Sequence, residues 1–333
     1  MTAAAELSPG LIEATEPPEY RGVARDGVRM LVTDRPTRSH KHAYFYDLPR
    51  LLRAGDLLVV NDSATLPAAI LARHADGDAI RVHVSTKIDE RLWTIEPRGH
   101  VAAGETLRLP GGAAATMIAP VEPRRPRLWY AAFQLDAPMY VYLAEFGTPI
   151  RYAYLRRSFP LRDYQTLFAR EAGSSEMPSA ARPFTESVVA RLRDRGVEVA
   201  TVTLHCGVAS FESSERPATE RFTVSHATAQ RINGARRDGC RVIAIGTTVV
   251  RALESAATDD GVVATSGWTD LNIDRTYRLK AVDALLSGFH DATATHLSLL
   301  HAFVDADLLR NAYAQAAETG YRYHEFGDVH LIR

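Results

Sequence analysis

Apolar residues in the first sixty positions occur in short runs separated by polar turns. Positions 30–33 and 42–46 predict β-strands, and Asp47 is a suitable cap for a short helix that extends to Leu52. Positions 56–60 contain an apolar run typical of a strand buried on both faces. Residues 1–27, rich in acids and prolines, predict an extended arm that precedes these strands.

From about position 64 the pattern changes to short strands separated by Gly- and Pro-rich breaks, with no long helical period up to position 136. Closely spaced short strands with turn signals favour a small antiparallel barrel or sandwich. The predicted strands are 68–73, 79–85, 92–96, 106–109 and 128–135.

After Pro138 helical and strand patterns alternate. Such alternation is typical of parallel strands whose connecting helices cover both faces of the sheet. The predicted helices are 140–146, 161–169, 186–195, 225–237, 247–257, 295–303 and 308–318. The predicted strands between them are 197–205, 241–245 and 329–332.

These patterns predict an α/β fold: a parallel-sheet α/β domain interrupted by a small antiparallel β-barrel domain. We expect residues 1–63 to form the first part of the α/β domain. Residues 64–137 are then the inserted barrel-like domain, and residues 138–333 complete the α/β domain.

Composition excludes several classes of protein. The 333 residues are 46% hydrophobic and 24% charged, which is typical of a globular chain. No apolar run approaches the roughly 18 residues of a membrane-spanning helix, and the first twenty residues do not resemble a signal peptide. Two cysteines are too few for a disulfide framework. The net charge of −1 gives no support for a dedicated nucleic-acid binder, and we expect a cytoplasmic protein.

One candidate site lies where the apolar strand 241–245 meets a helix through Gly246, Thr247 and Thr248. A helix N-terminus offers free N–H groups and the positive end of the helix dipole, which suit a carboxylate or a phosphate. The alternative is that one of the threonines only caps the helix. Arg251 and Glu254, three positions apart, are able to pair on one face of this helix.

Two further candidates follow predicted strands. His205, beside Cys206, ends an interior strand, where a structural core histidine is the alternative interpretation. Asp283, Phe289 and His290 bring a carboxylate, an aromatic ring and an imidazole to one loop, a combination that suits a purine-containing ligand. The alternative for Phe289 is a core position.

The strongest local concentration of basic residues lies in a segment without acids. It suits RNA phosphates, although a solvated helix face is an equally good interpretation. The four arginines of this basic segment are Arg151, Arg156, Arg157 and Arg162.

None of the twelve histidines shows a metal-binding spacing, so no metal site is predicted.

Several longer motifs keep one order along the chain from about position 30 onward. They are Tyr46-Asp47-Leu48-Pro49, Gly55-Asp56-Leu57-Leu58-Val59-Val60-Asn61-Asp62, Asp163-Tyr164-Gln165-Thr166, Thr203-Leu204-His205, Arg241-Val242-Ile243-Ala244-Ile245-Gly246-Thr247-Thr248, Arg251-Ala252-Leu253-Glu254, Asp283-Ala284-Leu285-Leu286 with Phe289-His290, Tyr321-Arg322-Tyr323 and Phe326-Gly327-Asp328. Through these motifs the sequence resembles the S-adenosylmethionine:tRNA ribosyltransferase-isomerase family of queuosine biosynthesis.

The resemblance implies an enzyme that uses S-adenosylmethionine as a ribosyl donor and releases adenine and methionine. The acceptor is a deazaguanine base in tRNA, and no metal or membrane is involved. The implied catalytic residues are His205, His290 and Asp283, with the two histidines handling protons. The Gly246–Thr248 turn would hold the methionine carboxylate and Phe289 would stack on adenine. The implied substrate-binding residues are Gly246, Thr247, Thr248, Arg251, Glu254, Phe289, Tyr164, Gln165, Asn61 and Asp62.

The sequence also departs from the family pattern, mainly in polar loops. Pro183 and Ala218 stand where the pattern has histidines, and Ala181 stands where it has a glycine. A kept scaffold with altered loops is expected when the ligand has changed. The alternatives are therefore a divergent relative that uses S-adenosylmethionine with a small acceptor or as a lyase, or a non-catalytic nucleoside-binding protein.

Overall fold

A nine-stranded sheet forms the centre of the α/β part of the protein. The computed structural model describes residues 10–208, 218–290 and 296–333. Across the sheet the strands lie in the order Thr265–Thr269, Glu220–Val224, Glu198–Leu204, Leu57–Asn61, Val242–Ile245, Ala284–Gly288, Val329–Ile332, Arg29–Asp34 and Ser39–Tyr44.

The middle of this sheet is parallel, as the alternation of strands and helices predicts. Leu57–Asn61 pairs in parallel with Glu198–Leu204 on one side and with Val242–Ile245 on the other. Val242–Ile245 pairs in parallel with Ala284–Gly288. The two strands at each edge are joined antiparallel, so the complete sheet is mixed.

Both faces of the sheet are covered, which explains the apolar run in its central strand. Leu57 and Val59 belong to one buried cluster, and Leu58 and Val60 belong to a second cluster on the other face. Successive side chains of a strand point to opposite faces, so a strand covered on both sides must be apolar at every position.

The inserted unit is a closed antiparallel barrel of six strands. Around the barrel the strands are Ala114–Pro120, Trp129–Gln134, Leu92–Pro97, Ala79–Lys87, Ala69–Arg73 and Thr106–Arg108. Five of them were expected from the sequence, and Ala114–Pro120 was not. The predicted fold class, an α/β domain with an inserted antiparallel barrel, is confirmed; the domain limits 64–137 stay a prediction.

Helices connect the strands and pack on the sheet or the barrel. Side chains of Thr185, Ser225 and Asp305 cap three of them by accepting a hydrogen bond from a first-turn N–H, as such residues commonly do. The α-helices are Leu48–Leu51, Met139–Phe146, Glu186–Asp194, His226–Arg237, Thr247–Ser255, His296–Leu300 and Ala306–Glu318.

Several boundaries differ from the sequence prediction. The predicted helix 161–169 is only a 3-10 turn, Leu161–Tyr164, followed by the strand Glu171–Ser174, which pairs in parallel with Ser63–Thr65. The strand predicted at 42–46 is Ser39–Tyr44, and a 3-10 turn follows it because Phe45 turns into the core. Position 295, the first of a predicted helix, lies outside the described residues.

The arm before the first sheet strand is held against a later part of the chain. Ile12–Glu13 pairs in parallel with Arg322–Tyr323, and the 3-10 turns Pro18–Arg21 and Arg25–Gly27 follow. A further short pair joins Ala257–Thr258 to Gly261–Val262. Within the described parts of the chain, we find no helix with the length and apolar character needed to cross a bilayer.

Candidate active site

A cavity of about 550 Å³ opens at the carboxyl ends of the central parallel strands. Gly246, Ser287 and Cys206 line it from the ends of three sheet strands, and Arg98 lines it from the barrel. In open α/β sheets this edge is where ligands bind, because the strands end there and the connecting loops diverge. The cavity therefore lies where the fold favours a ligand site.

The helix Thr247–Ser255 begins directly at this cavity. Its N-cap is Gly246, at φ +99°, and no side chain in the described part of the chain caps its first N–H groups. Thr247 and Thr248 follow in the first turn and line the cavity. Uncapped N–H groups at the positive end of a helix form a good site for an anion.

Arg251 lies one turn further along this helix and forms a buried ion pair with Glu220. Its guanidinium also donates to the carbonyl oxygens of Leu271, Ala218 and Thr269, each at 3.1 Å. Burial raises the pKa of Glu220, and the charge of Arg251 acts against this rise. Arg251 is therefore fixed on the cavity wall by Glu220 and three carbonyl oxygens.

The predicted pairing of Arg251 with Glu254 is not formed. The Glu254 carboxylate instead accepts from the backbone N–H groups of Lys280 and Ala281, each at 2.9 Å, and from the Tyr277 hydroxyl at 3.3 Å. It supports the loop before a sheet strand and is not part of the cavity lining.

His290 and its neighbour Phe289 both line the cavity, and Phe289 also packs against the core. The His290 Nε2 atom lies 3.0 Å from the Ser287 hydroxyl. The Phe289 side chain is only 1% exposed, and its ring contacts Tyr313 and Tyr321 with centroids 5.2 and 5.4 Å apart. Both residues line the cavity, and Phe289 is at the same time packed against the core, so its stacking on a ligand stays a prediction.

His205 lies behind the cavity lining, next to Cys206. Its Nδ1 atom is 2.8 Å from the Ser63 hydroxyl, and its ring packs so closely on Gly173 that an added Cβ would lie 2.4 Å from Nδ1. Burial, with the charge of Arg221 second, lowers the pKa of His205. The imidazole is therefore neutral and tightly oriented at neutral pH.

Cys206 itself lines the cavity but is not an activated nucleophile. Burial, with the charge of Glu220 second, raises the pKa of its thiol. Because the thiolate is the reactive form, this environment makes Cys206 inert.

The predicted residues Asn61, Asp62 and Gln165 form a polar frame beneath the cavity without lining it. Asn61 accepts from the Leu204 N–H at 3.0 Å and donates to the Leu204 carbonyl at 2.8 Å. Asp62 accepts from the Thr203 hydroxyl at 2.7 Å. Gln165 exchanges two hydrogen bonds with the Thr65 backbone, at 3.0 and 2.8 Å. These contacts fix strand ends that support the cavity.

Asp283 lies at the opposite end of its strand from the cavity. It directly precedes Ala284–Gly288, whose carboxyl end forms the cavity wall, and its carboxylate accepts from the Val242 N–H at 2.8 Å. Arg236 approaches the same carboxylate at 3.8 Å. The structure therefore does not bring Asp283 together with the cavity residues.

A second group of cavity residues was missed by the sequence analysis. The Tyr154 hydroxyl donates to the Glu325 carboxylate, and the Tyr154 ring stacks on His324 with centroids 3.8 Å apart. Tyr152 lies beside Tyr154 and hydrogen-bonds to Glu176. The sequence contains no periodic signal for this group, because Tyr152 and Tyr154 lie in a turn outside any strand or helix, where their rings stack with centroids 5.9 Å apart.

Comparison with known proteins identifies the family. The family described as queuosine biosynthesis protein matches residues 6–332. An S-adenosylmethionine:tRNA ribosyltransferase-isomerase of Moorella thermoacetica is 38% identical over 98% of this chain and 97% of its own length. An enzyme of the same name from Geobacter sulfurreducens is 36% identical over 93% of this chain and 94% of its own length. This chain belongs to the S-adenosylmethionine:tRNA ribosyltransferase-isomerase family.

The fold agrees with this assignment. A crystal structure of an S-adenosylmethionine tRNA ribosyltransferase from Thermotoga maritima matches with a TM-score of 0.57. It is 29% identical in sequence, and the match covers 98% of this chain and 100% of that chain. The α/β domain with its inserted barrel is therefore the architecture of the ribosyltransferase-isomerase family.

The departures from the family motifs lie at or near the cavity. Ala218 lines the cavity, and its carbonyl accepts from Arg251. Pro183 and Ala181 are buried just after the cavity residue Ala180. The positions expected to depart from the family pattern therefore lie at or beside the cavity.

The four arginines of the predicted phosphate patch are exposed and flank the cavity residues Tyr152 and Tyr154. Across residues 10–208, 218–290 and 296–333, none of them forms an ion pair with an acid within 4 Å. Arg157 stacks over the Tyr20 ring at 4.8 Å. The same described residues contain no group of three His, Cys, Asp or Glu side chains suited to a metal ion.

Proposed function

We propose that this protein transfers the ribosyl moiety of S-adenosylmethionine to a deazaguanine base in tRNA and isomerises it, with release of adenine and methionine. The observation that carries this proposal is the cavity itself. It combines an uncapped helix N-terminus, a buried arginine and a histidine at the ligand-binding edge of a ribosyltransferase-isomerase fold. Its volume of about 550 Å³ is in the usual range for a site that encloses a small molecule.

The methionine carboxylate of the donor fits the N-terminus of the helix Thr247–Ser255. Backbone N–H groups and the helix dipole attract a carboxylate there, and Gly246 allows its close approach because it carries no side chain. The Arg251–Glu220 pair is neutral overall and fixes the adjacent wall.

One imidazole at the cavity supports proton transfer, and a second lies behind the lining. The sulfonium of the donor acidifies the neighbouring 5′ C–H group, so a positioned base starts the rearrangement, and departing adenine takes up a proton. His290, which lines the cavity beside Ser287, is the group that we assign to this proton transfer. His205, oriented by Ser63, does not touch the donor in this assignment. It positions the end of the strand Glu198–Leu204, which it follows.

The arginine patch supports the tRNA part of the proposal. Arg151, Arg156, Arg157 and Arg162 flank the segment that carries Tyr152 and Tyr154 into the cavity. A bound tRNA is able to contact this patch through its phosphates while one base enters the cavity. Because tRNA is the substrate, we expect the reaction to take place in the cytoplasm.

Adenine release tests the function directly. The purified protein is incubated with S-adenosylmethionine, with and without tRNA that carries the deazaguanine precursor, and free adenine is quantified. Release that requires this tRNA supports the proposal. Release without tRNA supports the second candidate, a small acceptor or a lyase reaction, which the changed cavity residue Ala218 favours. Donor binding without release in either arm contradicts both enzymatic functions.

A further inference from the structure

One buried polar group in the cavity has no hydrogen-bond partner among the residues that the structure describes. The Tyr164 side chain is 5% exposed and lines the cavity, yet its hydroxyl makes no hydrogen bond to any of the residues that the structure describes. An unpaired buried hydroxyl costs free energy comparable to a lost hydrogen bond, so native structures rarely keep one without a reason. A ligand that accepts from Tyr164 removes this cost.

Tyr164 is close to a carboxylate that also lines the cavity. Burial, with the charge of Glu325 second, raises the pKa of Tyr164, and its ring packs against Phe326, the neighbour of Glu325, with centroids 5.2 Å apart. Glu325 accepts one hydrogen bond from Tyr154. A carboxylate has about four acceptor positions, so Glu325 keeps acceptor capacity for a ligand.

We propose that Tyr154, Tyr164 and Glu325 form the subsite for the deazaguanine base of the acceptor, and this inference rests on the proposed function. A guanine-like edge presents one carbonyl acceptor beside two N–H donors. Tyr164 donates to that carbonyl, and Glu325 accepts from the two N–H groups. Adenine presents a single amino donor beside a ring nitrogen acceptor, so it leaves one carboxylate oxygen unpaired.

The position of these residues in the chain also favours the acceptor over the donor. Tyr154 lies in the same segment as Arg151 and Arg156, and Tyr164 follows Arg162. A base that belongs to an RNA chain is held within reach of its own phosphates. The subsite next to the exposed arginines therefore suits the base of tRNA, and the helix N-terminus at Gly246 suits the small donor.

The test uses the full chain and the variants Tyr164→Phe and Glu325→Gln, with Tyr142→Phe as the matched control. The Tyr142 hydroxyl bonds to the Pro110 carbonyl and is not part of the cavity lining. Binding of free 7-deazaguanine, adenine and S-adenosylmethionine is measured by calorimetry, and KM for tRNA and for the donor is measured by adenine release.

We expect Tyr164→Phe to weaken 7-deazaguanine binding and raise KM for tRNA about tenfold, and Glu325→Gln to do so about 30-fold. Donor binding stays unchanged in both. Tyr164→Phe also leaves the unfolding midpoint unchanged or raised, because no internal hydrogen bond is lost. If the hydroxyl had a purely structural role, Tyr164→Phe would instead lower the unfolding midpoint.

Two results overturn the subsite. One is weaker donor or adenine binding with unchanged 7-deazaguanine binding, which assigns these residues to the donor. The other is no binding of 7-deazaguanine by the wild-type protein. If the wild-type protein binds 7-deazaguanine in a Tyr164-dependent manner but releases no adenine with tRNA, the proposed function fails and the subsite stands.

Discussion

The buried pair of Arg251 and Glu220 allows a quantitative test of how the cavity wall is stabilised. Both residues are more than 90% buried, and Glu220 also accepts from the Gly207 N–H at 2.9 Å. Replacing Arg251 by Met leaves a buried carboxylate without its counter-charge and removes the donor to three carbonyl oxygens. Removing one partner of a buried pair costs about 3–5 kcal/mol, so we expect a loss of about 4 kcal/mol in the free energy of unfolding.

Glu220→Gln is expected to cost less, about 2–3 kcal/mol, because Arg251 keeps its three carbonyl acceptors and the glutamine still accepts from Gly207. In the double variant no unpaired charge remains. The double variant should therefore lose at least about 2 kcal/mol less than the sum of the two single variants. Such non-additivity is expected when the attraction between the two charges offsets the free-energy cost of burying them.

Urea unfolding of the four proteins at pH 7 gives the required free energies. The matched control is the exposed pair Lys280–Asp259, at 2.9 Å, where Lys280→Met and Asp259→Asn should change nothing measurable. If the losses of Arg251→Met and Glu220→Gln add within about 0.5 kcal/mol, the two side chains do not depend on each other and the reasoning fails.

Three further predictions concern acid stability, the orientation of one imidazole and tRNA binding. Burial lowers the pKa of His330 to about 3, so the unfolded chain binds the extra proton first and stability falls as pH drops below about 6.5. His330→Gln should remove about 2 kcal/mol of the loss seen by urea unfolding between pH 6.5 and 5; an unchanged pH dependence contradicts this. Gly173→Ala should displace His205 and slow adenine release at least about tenfold, whereas Gly267→Ala, with open space around it, should not. Arg156→Ala should reduce the slope of log affinity for tRNA against log salt by about one, and an unchanged slope excludes a phosphate contact.

The central sheet could be predicted because its signal is local. Positions 57–60 of the strand Leu57–Asn61 are all apolar, as expected of a strand that is covered on both faces. The strand Ala284–Gly288 gave no such signal, since Ser287 and Gly288 resemble a loop and only the neighbouring strands make them part of the sheet.

The candidate site was predicted where it depends on one strand and the helix after it. Gly246 and Thr247 lie at the cavity because a strand end and a helix start are adjacent in sequence. Asp283 was grouped with His290 because the two are close in sequence. In the structure the five-residue strand Ala284–Gly288 lies between them, so they are at opposite ends of the sheet. Tyr154 and Glu325 meet only through long-range packing, which no local pattern contains.

The position of Val329–Ile332 inside the sheet has a consequence for synthesis of the protein. This strand lies between Ala284–Gly288 and Arg29–Asp34, so the first two sheet strands join the others only through it. On the ribosome the early hairpin, complete at Tyr44, must wait while roughly 285–290 further residues are made up to Val329–Ile332, roughly 15–60 s at about 5–20 residues per second. Until then the unpaired edge of the strand Arg29–Asp34 is free to pair with other strands. Loss of the few residues from Val329 onward would detach this hairpin and leave the strand Ala284–Gly288 without its neighbour on that side.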